Sequence, residues 1–160
     1  MTTQTDHAEI GMLVHRFFRA LDDREFAAGW ARGFLTDDAR METPLGVSRG
    51  ADAVRATEEA LGRYDRTQHI ASGVVTEAVV TDAGPAAGRA TASWNALMVH
   101  AHRAATLQER GGEGGREADP LFTVGGRFEA DLRRTPGGWR FSRVAVRPVW
   151  TQGQPPPGVG

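Results

Sequence analysis

The chain has 160 residues, 40% of them hydrophobic and 24% charged, with a formal net charge of -1. That length suits one domain burying its own core, and the near-neutral balance sets up no field to gather nucleic acid or anionic lipid. Cysteine is absent, which excludes disulfides, thiolate metal sites and cysteine nucleophiles.

Met1 to His7 carry neither the basic cluster nor the apolar stretch of a signal peptide. No apolar run approaches the roughly 20 residues of a membrane span. The expectation is a cytoplasmic protein with a small-molecule partner and no membrane or nucleic-acid partner. Asp6 and Glu9 have the spacing of a capping box. Ile10, Leu13, Val14, Phe17, Phe18 and Leu21 then recur at helical spacing and define one apolar stripe. Asp22 flanks that stripe and can look into a cavity. Asp23 points nearly opposite and reads as the cap of a second short helix carrying Phe26 and Trp30. Residues 34–44 read as a turn and a short strand. Ser48 to Arg63, with Ala51, Val54, Thr57 and Leu61 on one side, read as a third helix.

From Thr67 the pattern is β. Residues 67–81 are rich in Val, Ile and Thr, and Asp82-Ala83-Gly84-Pro85 is a turn. Over residues 88–103, Ala90, Ala92, Trp94, Ala96, Met98, His100 and His102 share one strand face, opposite Arg89, Thr91, Ser93 and Asn95. Strand ends often reach solvent, so one of the two histidines is expected to be exposed. Residues 121–134 and 138–150 form a further pair across Pro136-Gly137-Gly138. The stretch Gln108 to Glu117 is too glycine-rich and charged to pack and reads as a mobile loop, suited to a lid. Residues 151–160 read as a disordered Pro/Gly-rich tail after a single domain over 1–150.

Helices followed by antiparallel strands define an α+β fold: a curved antiparallel sheet forming a cone closed by three N-terminal helices. The interior of such a cone is a small-molecule pocket. Three histidines and one carboxylate lie on its pocket-forming segments: Asp22, His69, His100 and His102. Imidazole titrates nearest neutrality, so their convergence would mean proton transfer. Trp94 and Met98 share the histidine face and would form pocket wall. His7 and His15 are expected to be solvated, and Arg127 and Arg147 to lie in ion pairs on the outer face.

These segments resemble the SnoaL-like and scytalone-dehydratase-like branch of the nuclear-transport-factor-2-like superfamily, over roughly Glu9 to Trp150. The anchors are Ala20-Leu21-Asp22-Asp23-Arg24-Glu25-Phe26, Arg66-Thr67-Gln68-His69, Gly138-Trp139-Arg140-Phe141 and Arg147-Pro148-Val149-Trp150. The resemblance implies catalytic roles for Asp22, His69 and His100, with His102 as the register alternative. It implies a cofactor-free, metal-free acid–base enzyme: a dehydratase, cyclase or isomerase acting on an apolar cyclic polyketide or terpenoid in bacterial secondary metabolism. A histidine would take an α-proton, and Asp22 would orient or charge His100. It also implies assembly as a homodimer or trimer through the outer sheet face. Two tyrosines that polarise the substrate carbonyl in the dehydratase fall on Leu21 and Thr43, and a pocket asparagine falls on Phe128. Tyr64 is the one tyrosine left to substitute for them.

Overall fold

The structure is a computed structural model that describes residues 4–79, 88–111 and 118–158. Helix α1 spans Gln4–Asp22, and its apolar stripe is the buried one: Ile10, Leu13, Val14, Phe17, Phe18 and Leu21 all face the core. The helix begins before Asp6, so Asp6 is not its cap. The Asp6 carboxylate instead accepts the Trp139 indole N–H at 3.1 Å and pairs with Arg134, tying the start of α1 to the sheet. Where a second helix is expected after Asp23, the chain makes irregular turns and a short 3-10 turn over Trp30–Gly33. Gly29 precedes that turn in the left-handed region, at φ 80. The Phe26 and Trp30 rings still meet, with centroids 4.9 Å apart.

Strand β1 (Leu35–Thr43) turns back into β2 (Gly46–Arg49), which leads into helix α2 (Gly50–Gly62). Four long strands follow: β3 (Tyr64–Val79) at the edge, β4 (Arg89–His102), β5 (Leu121–Thr135) and β6 (Gly138–Gln152), of which β4 alternates buried and more open residues along its whole length. Helix α3 (Ala104–Gly111) sits between β4 and β5 and takes up residues expected in a mobile loop. The rest of that loop and the Asp82–Pro85 turn lie outside the described residues.

The fold is α+β, with three helices and one open sheet of order β2-β1-β6-β5-β4-β3. The long strands pair antiparallel, and β1 joins β6 in parallel, so the sheet is mixed. Register shifts bend it at Tyr64/Arg66, Ser72/Val75, Gly125/Gly126 and Asp131/Leu132. α1 packs into the concave side and buries Phe17 against Phe34 and Phe141, and Phe18 against Trp94 and Phe128. The chain expected as a disordered tail begins inside β6, where Thr151 and Gln152 pair with Val124 and Thr123. Beyond it Gly153 turns the backbone at φ 82 and Pro156 is buried.

Candidate active site

Asp22 is the last residue of α1, and His69 lies on the edge strand against which that helix packs. The Asp22 carboxylate is met three times by β3. Its Oδ1 lies 2.6 Å from His69 Nδ1 and accepts the Thr67 hydroxyl at 2.9 Å, while Oδ2 accepts the His69 backbone N–H at 2.8 Å. Burial alone would raise the Asp22 carboxyl. The bonds from the His69 ring and backbone, the attraction of His69 and the Thr67 hydroxyl outweigh it and hold Asp22 below the ordinary carboxylate range. An ionised Asp22 can only accept, so His69 Nδ1 is the donor, and in the neutral ring the lone pair then lies on Nε2. The His69 side chain is only 5% exposed.

His100 stands across the sheet from Thr67, and its ring meets that of His69 edge-on at 5.7 Å. Its Nδ1 donates to the Phe122 carbonyl at 3.0 Å, which leaves Nε2 as an acceptor. Burial pushes His100 down to about 4 against the pull of that carbonyl, so the ring is neutral near pH 7. The partner of Asp22 is therefore His69 and not His100. Tyr64 lies with its ring 4.5 Å from that of His100, and burial pushes its phenol up to about 12, so it stays a hydroxyl.

Both strand-end histidines are inward. His102 is buried like His100, and its Nε2 donates to the Gln154 carbonyl at 2.9 Å. The expectation of one exposed histidine fails because the chain after β6 folds back over the strand end. Trp94, Met98 and Phe128 are all buried; Trp94 stacks on Phe128 at 5.2 Å, and Phe18 bridges both to His69. They form an aromatic floor packed next to the dyad. Leu21 is buried in the same core. Thr43 is not part of the site: it is exposed in the β1–β2 turn, where its hydroxyl bonds Gly46 O. His7 is met by the Thr76 hydroxyl and not by solvent alone.

Sequence reasoning missed Thr67, although it lies two residues before His69 and so shares its strand face. It also missed Arg24, the one non-glycine with a left-handed backbone among the described residues, at φ 55. The Arg24 guanidinium ties Leu21 O to Leu61 O at the ends of α1 and α2. A cleft of about 650 Å³ reaches the dyad, with Phe18, Asp22, Thr67 and His69 in its wall and Arg19 and Arg66 at its rim. Among the described residues no helix is long and apolar enough to cross a membrane.

A helix-packed open sheet with an Asp–His pair where the first helix meets the edge strand defines a cone-type α+β domain. Residues 2–145 match the SnoaL-like domain family, and the chain belongs to it. No curated protein matches the sequence. Among solved structures, the Kfla4162 protein of Kribbella flavida superposes with TM-score 0.76 at 24% identity, covering 93% of this chain and 94% of that one. A protein of Novosphingobium aromaticivorans named as a candidate scytalone dehydratase gives 0.69 at 19% identity, covering 99% and 97%. The type 3 hexachlorocyclohexane dehydrochlorinase of Novosphingobium barchaimii gives 0.66 at 15%, covering 95% and 94%. At such identities these likenesses bear on the fold alone.

Proposed function

We propose that this SnoaL-like domain is a cofactor-free acid–base enzyme that dehydrates, cyclises or isomerises a small, largely apolar cyclic metabolite. The substrate class we infer is polyketide or terpenoid, and the setting is the cytoplasm, in bacterial secondary metabolism. The observation that carries the reading is the 2.6 Å contact between Asp22 and His69. A carboxylate fixing one imidazole nitrogen leaves the other oriented and basic, which is what proton abstraction needs.

For a cyclic β-hydroxy ketone, His69 Nε2 takes the α-proton and the C–H pair moves into the carbonyl as an enolate. Collapse of the enolate forms the C=C bond and expels the β-hydroxyl. The proton on His69 returns to that oxygen, so water leaves and the ring is neutral again. Asp22 stabilises the transient imidazolium. His100, neutral with a free Nε2, accepts a hydrogen bond from the substrate hydroxyl, and Tyr64 offers its O–H to the substrate oxygen. Phe18 offers the cleft an aromatic face suited to a flat apolar ring, while Trp94, Met98 and Phe128, expected as pocket wall, lie behind it in the core.

Incubation with 3-hydroxy-1-tetralone in D2O tests this, with α-deuteration and loss of water followed by proton NMR. The native protein is expected to accelerate α-exchange over buffer. His69→Ala and Asp22→Asn should lower that rate by about 10²-fold or more. Exchange no faster than buffer, or equal in both variants, would remove the enzyme reading. The packed floor favours one rival, a cone that binds ligand or a partner without turnover. That rival expects the tetralone to bind native protein and both variants alike, with no exchange in any. We also propose a homodimer formed through the outer sheet face.

A further inference from the structure

We propose that a second concavity, on the flank formed by residues 26–37 and α2, binds a small organic cation carrying an apolar ring. Its volume is about 480 Å³, which suits a single-ring molecule. Phe26 and Trp30, with ring centroids 4.9 Å apart, line it together with Val54. The Trp30 indole N–H donates to Glu58 Oε1 at 2.7 Å and fixes that carboxylate against the aromatic wall. Glu58 Oε2 has no partner among the described residues, and neither has the carboxylate of Asp37, the second acid in the lining.

The one base in the lining is Arg32, whose backbone carbonyl accepts Arg140 Nε at 2.8 Å. Two carboxylates against one guanidinium leave the lining net negative. The Trp30–Glu58 bond by itself would serve to pin the turn to α2. Pinning does not account for the open volume beside it, nor for two carboxylates with unspent lone pairs at its edge. An ammonium group finds there an aromatic face and a fixed carboxylate, the combination that recognises organic cations. A neutral ring gains only the apolar wall, and an anionic ring meets repulsion. The site is separate from the Asp22–His69 dyad and does not depend on the activity proposed for it.

The test uses benzylammonium chloride as probe at constant ionic strength, followed in the indole N–H region of ¹H–¹⁵N spectra. The chain has 4 tryptophans, and Trp30→Phe assigns the relevant signal. Benzylammonium should shift the Trp30 resonance saturably in the millimolar range while the other indoles stay in place. Glu58→Gln keeps an oxygen acceptor for the indole and should weaken binding about tenfold, the worth of one charge-assisted hydrogen bond. Asp37→Asn, exposed and outside the core, should weaken it by a smaller factor and serves if Glu58→Gln does not fold. Benzyl alcohol and benzoate should bind about tenfold more weakly or not at all. Equal binding of benzyl alcohol, tighter binding of benzoate, or no saturable shift of Trp30 in folded protein would each overturn the assignment.

Discussion

Asp22 closes α1 and holds Thr67 and His69 of β3 with its carboxylate. One oxygen takes the His69 backbone N–H, and the other takes the Thr67 hydroxyl and the His69 ring. Ring orientation is thus coupled to the seating of the helix on the edge strand, and the dyad cannot rotate away without breaking three bonds. His100 is held differently, by a backbone carbonyl and burial, and this has a consequence for stability. The unfolded chain protonates this histidine near 6.5, while the folded ring resists protonation until about 4. Between those values the unfolded state binds more protons, so stability falls as pH drops from 6.5 toward 4, by up to about 3 kcal/mol. Burial also lowers His102, which adds in the same direction. Asp22 contributes only in more acid solution, since its carboxyl is held below the ordinary range. Urea unfolding at pH 7 and pH 4.5 should show a clear drop for native protein and a smaller one for His100→Gln. Parallel drops in the two proteins would mean that His100 is not the neutral buried group described.

Among the elements, β4 was the most legible, because period-two alternation over fourteen residues from Arg89 to His102 admits one assignment of faces. The stripe of α1 was equally plain, which is why Asp22 could be singled out over Asp23. The pairing of Asp22 with His69 in place of His100 was not legible. It depends on the packing of α1 against β3, which is long-range. The parallel contact of β1 with β6 was hidden for the same reason, as was the burial of His102. That burial depends on the turn at Gly153, where φ is 82 and a Cβ would collide with the Leu121 carbonyl. Local composition there, rich in Pro and Gly, reads as a tail. Gly153→Ala should therefore cost about 1–3 kcal/mol in thermal unfolding and free His102 from Gln154. Titration of His102 by NMR reads the second effect: its pKa should rise toward the ordinary value. A variant with unchanged melting and an unchanged His102 profile would show that this turn does not hold the chain against the strand end.

At the scale of the whole molecule the outer sheet face carries the remaining argument. Ile70, Leu97, Gly125 and Trp150 lie opposite one another on four successive strands. Three of them are large and open, at 48%, 37% and 49% exposure. Trp150 lies flat over Gly125, where a side chain would collide with its ring, so the row is continuous. A neighbouring row is polar, with Arg127 bonded to Asn95, and Arg147 beside it is paired with Glu129. A continuous apolar stripe with a polar border is the composition of an interface core and rim. A two-fold axis lets one such stripe cover itself, which closes the assembly without exposing a second patch. On this basis the protein is expected to travel at twice the chain mass in light scattering coupled to size exclusion at micromolar concentration. Leu97→Glu, which places a charge at the centre of the row and points away from the dyad, should halve that mass and leave tetralone α-exchange within about twofold. A native protein that already runs as a monomer, or a variant that keeps the larger mass, would show that the stripe is not where copies meet.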